Sequence, residues 1–77
     1  MLKNVIAKAL GEFKAEITFH DLRVVKGTTH TNVLFDVVIP LGTKVDEKEL
    51  IKALKTAIKA QDKKYLTVIK IDNSYIH

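Results

Sequence analysis

Few side chains in this sequence are equipped for chemistry, and the richest group is the run Phe19-His20-Asp21-Leu22-Arg23-Val24. The run alternates like a strand, yet it sets an imidazole beside a carboxylate and a guanidinium two residues on. An imidazole offers a metal-ligand nitrogen and changes charge near neutrality. Two further carboxylates stand in apolar surroundings. Asp36 interrupts Val33-Leu34-Phe35-Asp36-Val37-Val38-Ile39, and Asp72 follows Val68-Ile69-Lys70-Ile71. A carboxylate in an apolar strand is unfavourable unless it is paired or coordinates a cation. Two readings are therefore open for Asp36: an ion pair with Arg23 or a lysine, and a cation site shared with His20. Asp72 is either a ligand or the first residue of a polar tail. His30 sits in a threonine-rich loop and reads as a surface residue, and His77 ends the chain.

Other chemistries find little support. The sequence has no cysteine, which excludes disulfides and thiolate zinc sites and leaves His, Asp and Glu as the metal ligands. There is no Gly-rich phosphate loop, and the one serine is Ser74, near the end. No nucleophile–base pair can be nominated, so the chain is not read as an enzyme. The longest apolar run, Val37-Val38-Ile39-Pro40-Leu41, is far too short to span a bilayer.

The elements that must position these residues follow from periodicity. Leu2, Val5, Ile6, Ala9, Leu10 and Phe13 repeat at helical spacing, with Gly11 near the end of that helix. Residues 17–26 read as a first strand, with His20, Leu22 and Val24 on one face and Asp21, Arg23 and Val25 on the other. Residues 27–31 form a turn. Residues 32–39 read as a second strand with Val33, Phe35, Val37 and Ile39 on one face, ended by Pro40, which lacks a donor N–H. Asp46 is an N-cap with Glu49 completing a capping box, and Val45 and Leu50 make the matching hydrophobic staple. Leu50, Ile51, Leu54, Ala57 and Ile58 supply the buried stripe of this second helix. Residues 65–71 read as a third strand whose almost continuous apolar run suits burial between neighbours. Residues 72–77 are a polar tail.

The 77 residues therefore make a single domain, 1–77, with the order helix, strand, strand, helix, strand. The expected fold class is α+β, a ferredoxin-like αββαβ two-layer half-sandwich with a three-stranded sheet. The crossover from the second strand to the third should be right-handed, which would allow the first and third strands to lie side by side. His20, Asp36 and Asp72 then fall one on each strand. The core is thin, and domains of this size gain stability from a metal or a partner subunit. The net charge of +4 is modest, and Lys48, Lys52, Lys55, Lys59, Lys63 and Lys64 read as a solvated helix face. The alternative is a small basic nucleic-acid-binding module. Five aromatics, two Tyr and three Phe, are few for that role, and no aromatic-basic strand motif occurs.

The strand Phe19-His20-Asp21-Leu22-Arg23-Val24 and the strand end Val68-Ile69-Lys70-Ile71-Asp72, in this element order, resemble the cytoplasmic C-terminal domain of cation diffusion facilitator transporters, the zinc and manganese efflux antiporters. The resemblance runs from about residue 17 to residue 72, with a compatible first helix. It implies a homodimeric, V-shaped domain at the cytoplasmic face of a membrane transporter. It also implies a binding site for zinc or another divalent cation near the subunit interface, and the transmembrane domain of a parent transporter as partner. The first family ligand falls on His20, the second-strand ligand on Asp36 and the final ligand on Asp72. The family's third-strand histidine is replaced here by Lys70, and the histidine often found early in its second helix falls near Ile51. The resemblance makes metal sensing and dimerisation the expected function, with no nucleic acid as partner. It leaves transport itself to membrane helices that these residues do not contain.

Overall fold

The structure, a computed structural model, describes residues 2–13, 16–40 and 42–73. Five elements follow one another as expected: α1 (Leu2–Gly11), β1 (Thr18–Lys26), β2 (Thr31–Ile39), α2 (Glu47–Lys59) and β3 (Tyr65–Asn73). The architecture is the α+β half-sandwich of the sequence reading, with both helices on one face of a mixed three-stranded sheet. β1 and β2 form an antiparallel hairpin, and β3 runs parallel to β2.

The core is built from two periodicities meeting face to face. Every second residue of β2 (Val33, Phe35, Val37 and Ile39) is buried, and these pack on Ile6, Ala9 and Leu10 of α1 and on Leu50, Leu54 and Ile58 of α2. The Phe19 ring meets Phe35 edge-on, with centroids 6.0 Å apart. Each fully buried Leu, Ile or Phe side chain contributes about 1.5–3 kcal/mol. Asp46 caps α2 by accepting from the backbone N–H of Lys48 at 3.0 Å and of Glu49 at 3.4 Å. Such a cap is worth about 1 kcal/mol. The expected box is one-sided, because no bond returns from Glu49 to the Asp46 backbone. Val45 packs against the core cluster to which Leu50 belongs.

Turn chemistry closes the hairpin. Gly27 N–H donates to the His30 carbonyl at 2.8 Å, and a Cβ at Gly27 would lie 2.7 Å from that oxygen, so a side chain there cannot fit without backbone movement. After Pro40 ends β2, Thr43 N–H donates to the Pro40 carbonyl, and Gly42 takes the positive φ of +82° that this turn requires.

Three expectations are corrected. The sheet order is β1-β2-β3, so the first and third strands do not lie side by side; they flank β2. β2 is the central strand and β3 an edge, and the apolar run of β3 has a different cause than burial between neighbours. Tyr65, Ile69 and Ile71 pack toward the helices, while Leu66 and Val68 are 42% and 50% exposed on the uncovered face. Third, β3 extends through Asp72 and Asn73, so Asp72 is held in the sheet opposite Val38 instead of beginning the tail. Residues Ser74, Tyr75, Ile76 and His77 of the expected tail lie outside the described residues.

Candidate metal centre

The uncovered face of the sheet is laid out in rows set by the strand register. Thr18, Val38 and Asp72 form one row and His20, Asp36 and Lys70 the next. Arg23, Leu34 and Val68 follow, then Val25, Asn32 and Leu66 at the hairpin end. Two rows are polar and two largely apolar. The order within β1 departs from simple alternation, because the register slips between His20 and Arg23. Asp21 adopts φ +59°, a left-handed conformation that Asp tolerates better than most residues. This bulge returns Arg23 and Val25 to the face that carries His20 and turns Leu22 toward the core. The expected sharing of one face by His20, Leu22 and Val24 is therefore wrong, since that expectation assumed unbroken two-residue alternation.

On this face His20, Asp36 and Asp72 converge, one from each strand, and their ligand atoms all lie within 4.8 Å of one another. His20 is exposed and the two carboxylates are half-buried. Ligand atoms about 2.0–2.1 Å from a tetrahedral zinc stand about 3.3 Å apart. Small side-chain rotations on an open face would close that difference. The donor set, one imidazole and two carboxylates, suits zinc or another divalent cation and leaves a coordination position unfilled by this chain. Among the described residues, no lysine or arginine side-chain nitrogen lies within 4.0 Å of a carboxylate oxygen of Asp36 or Asp72, and the contact in that range joins His20 Nδ1 to Asp21 Oδ2 at 3.1 Å. The ion-pair reading of Asp36 is thus not the one the geometry adopts.

Lys70 is exposed and sits directly across from Asp36, two residues before Asp72 on the same face. With Asp21, Leu22, Arg23 and Asp36 it lines an open cleft of about 530 Å³ beside the cluster. Two other positions are remote. Ile51 belongs to α2, on the far side of the sheet. His30 is at the hairpin tip, its Nδ1 3.0 Å from Thr29 Oγ1, and lies about 20 Å along the strand from Asp36. The sequence reading missed the contact of Asp21 with His20, having placed the two on opposite faces. The adjacent imidazole and carboxylate were visible, but nothing in the residue types announced the bulge that joins them.

No protein-family model matches this sequence, and no curated protein sequence is significantly similar to it. Solved structures do share the fold. The zinc form of CzrB, assigned as a zinc transporter, superposes with a TM-score of 0.73 at 18% identity, covering 95% of this chain and 84% of that one. The metal-bound C-terminal domain of the CzcD transporter from Thermotoga maritima gives 0.71 at 15% identity, over 99% of this chain and 92% of that one. The cytosolic domain of a cation diffusion facilitator family protein gives 0.63 at 16% identity, over 94% and 86%. The structural neighbours are thus C-terminal cytosolic domains of such transporters. Among the described residues no helix is long and apolar enough to cross a membrane.

Proposed function

We propose that this chain, 1–77, is a single cytoplasmic domain of a cation diffusion facilitator that dimerises and senses a divalent metal, and so regulates efflux through the membrane part of its transporter. The observation that carries this reading is the convergence of His20, Asp36 and Asp72 from three separate strands. Shared fold with metal-bound transporter domains supports it. Zinc, or another divalent cation, would be held by those three residues and would neutralise two neighbouring carboxylates. The open apolar rows support a homodimer. Val25, Leu66 and Val68 are 53%, 42% and 50% exposed on the same face as the ligands, and a second copy would cover them. A dimer arrangement that offers a fourth donor binds the cation better, so metal shifts the population toward that arrangement.

The nucleic-acid alternative gains nothing from the fold. A sheet that stacks bases needs aromatics on its open face. Phe19 and Phe35 instead pack with the core beneath the helices. Oligonucleotide binding should be weak and vanish at physiological salt. The decisive experiment is calorimetric titration of the domain with zinc, alongside light scattering. A saturable heat that is lost in the Asp36→Asn, Asp72→Asn double variant, from a particle of about twice the single-chain mass, is expected. No heat from the wild type, or a concentration-independent monomer, would remove the sensing or the dimer half of the proposal respectively.

A further inference from the structure

We infer that Asp21 is a positioning residue for cation binding: its carboxylate holds His20 in the Nδ1–H tautomer and leaves Nε2 as the metal-binding nitrogen. This rests on the metal-site reading above. The contact is direct, with Asp21 Oδ2 3.1 Å from His20 Nδ1. An imidazole whose Nδ1–H is donated to a carboxylate presents its Nε2 lone pair outward, with its ring orientation fixed and its basicity raised.

The backbone around this contact is arranged to make it. Adjacent residues on a regular strand point to opposite faces and cannot meet side by side. Here Asp21 takes φ +59° at the register slip between His20 and Arg23, which brings its side chain round to the imidazole. A non-glycine residue in that region carries a conformational penalty, and bulges that re-aim a side chain are common beside functional sites. Arg23 Nε donates to the Asp21 carbonyl at 3.1 Å, which holds the bulged residue from the other side. The pair is substantially exposed, at 49% and 67% of side-chain area, so it contributes little to the core and its effect should appear in binding.

The test exploits the positive φ. Asp21→Gly removes the carboxylate while keeping a residue that accepts the bulge conformation, so the fold should survive. Zinc affinity by calorimetry should fall about tenfold, the low end for loss of a partner to a metal-bound imidazole. Asp21→Asn, which keeps an acceptor oxygen without the charge, should lose less. Nitrogen-15 chemical shifts of the imidazole supply a reading that a merely structural role would not move. The zinc-loaded wild type should show Nε2 ligated and Nδ1 protonated, and metal-free Asp21→Gly should show that tautomer depleted. Ligation through Nδ1, or an Asp21→Gly variant that binds zinc as tightly as wild type, overturns the inference while leaving the metal site standing. A wild type that binds no zinc overturns both.

Discussion

On the helix side of the sheet Val33, Phe35, Val37 and Ile39 are at most 4% exposed, whereas on the open side Val25 and Val68 remain 53% and 50% exposed. One strand, β2, supplies both surfaces from alternate positions. Its odd residues from Val33 to Ile39 are all apolar and close-packed. Its even residues, Asn32, Leu34, Asp36 and Val38, mix types, and the proposed cation ligand Asp36 is among them. The contrast separates two jobs. A face sealed by helices admits only groups that lose nothing on leaving water. A face open to solvent can keep carboxylates and an imidazole hydrated and close together, because the packed core lies on the other side.

The separation breaks most visibly if a residue on the wrong side matters. Phe35 is 1% exposed and meets Phe19 edge-on, so Phe35→Ala should destabilise the domain by about 3–5 kcal/mol. Urea denaturation followed by circular dichroism would measure it. A loss below about 1 kcal/mol would mean that the helix face is not the core described here.

His20→Ala should behave oppositely. Zinc affinity should fall roughly a hundredfold, equivalent to about 2.8 kcal/mol of binding. The urea midpoint should hardly move, since exposed substitutions usually stay within about 0.5 kcal/mol. Unchanged zinc binding in this variant would take the open face out of metal chemistry.

The two faces also differ in how far the sequence disclosed them. Helical spacing in α1 and α2 and two-residue alternation in β2 are direct consequences of burial, so the element order and nearly every core residue could be read from residue types. The convergence of His20, Asp36 and Asp72 could be anticipated as well, because a carboxylate amid apolar neighbours needs a reason. What lay hidden depends on pairing, which no local pattern encodes. The place of β3 beside β2 is decided by long-range contacts, and its apolar run looked like burial because Leu66 and Val68 are apolar on the open face too. The extension of β3 through Asp72 was masked by the polar residues that follow. The Asp21 bulge left no mark, since Asp is not a glycine and its left-handed backbone is a choice made by the hairpin.

A smaller effect should come from the apolar rows beyond the site. Val68 is half exposed beside Leu34 and Arg23 in the register. In Val68→Lys, charge would enter the surface assigned to the second copy, where a desolvated lysine without a partner is unfavourable. Light scattering across a dilution series should shift toward the mass of one chain, with the folding midpoint of the monomer preserved. If dimers persist at the same concentrations, the two-fold contact lies on another surface, and the open face serves the cation alone.

The finest distinction concerns Lys70, one of the two positions at which this chain departs from the family pattern it resembles. In the register it stands opposite Asp36, and it precedes Asp72 by two positions on the same face. Its ammonium therefore adds a positive charge to the row that a divalent cation would enter. At an exposed site such a charge is well screened, so its influence on binding should be modest. Lys70→His removes the charge and restores an imidazole where the family carries one. Zinc should then bind several-fold more tightly, about 1 kcal/mol, by the same calorimetric titration. The helix face predicts little change in stability, because Lys70 is exposed on the open face, opposite Asp36 in the register. Equal affinity in Lys70→His and wild type would place Lys70 outside the reach of the cation. The ligand cluster would then be confined to the corner of the face where Asp72 and His20 approach Asp36. Weaker binding would mean that the ammonium supports the carboxylates instead of competing with the cation, and that the resemblance misleads at this position.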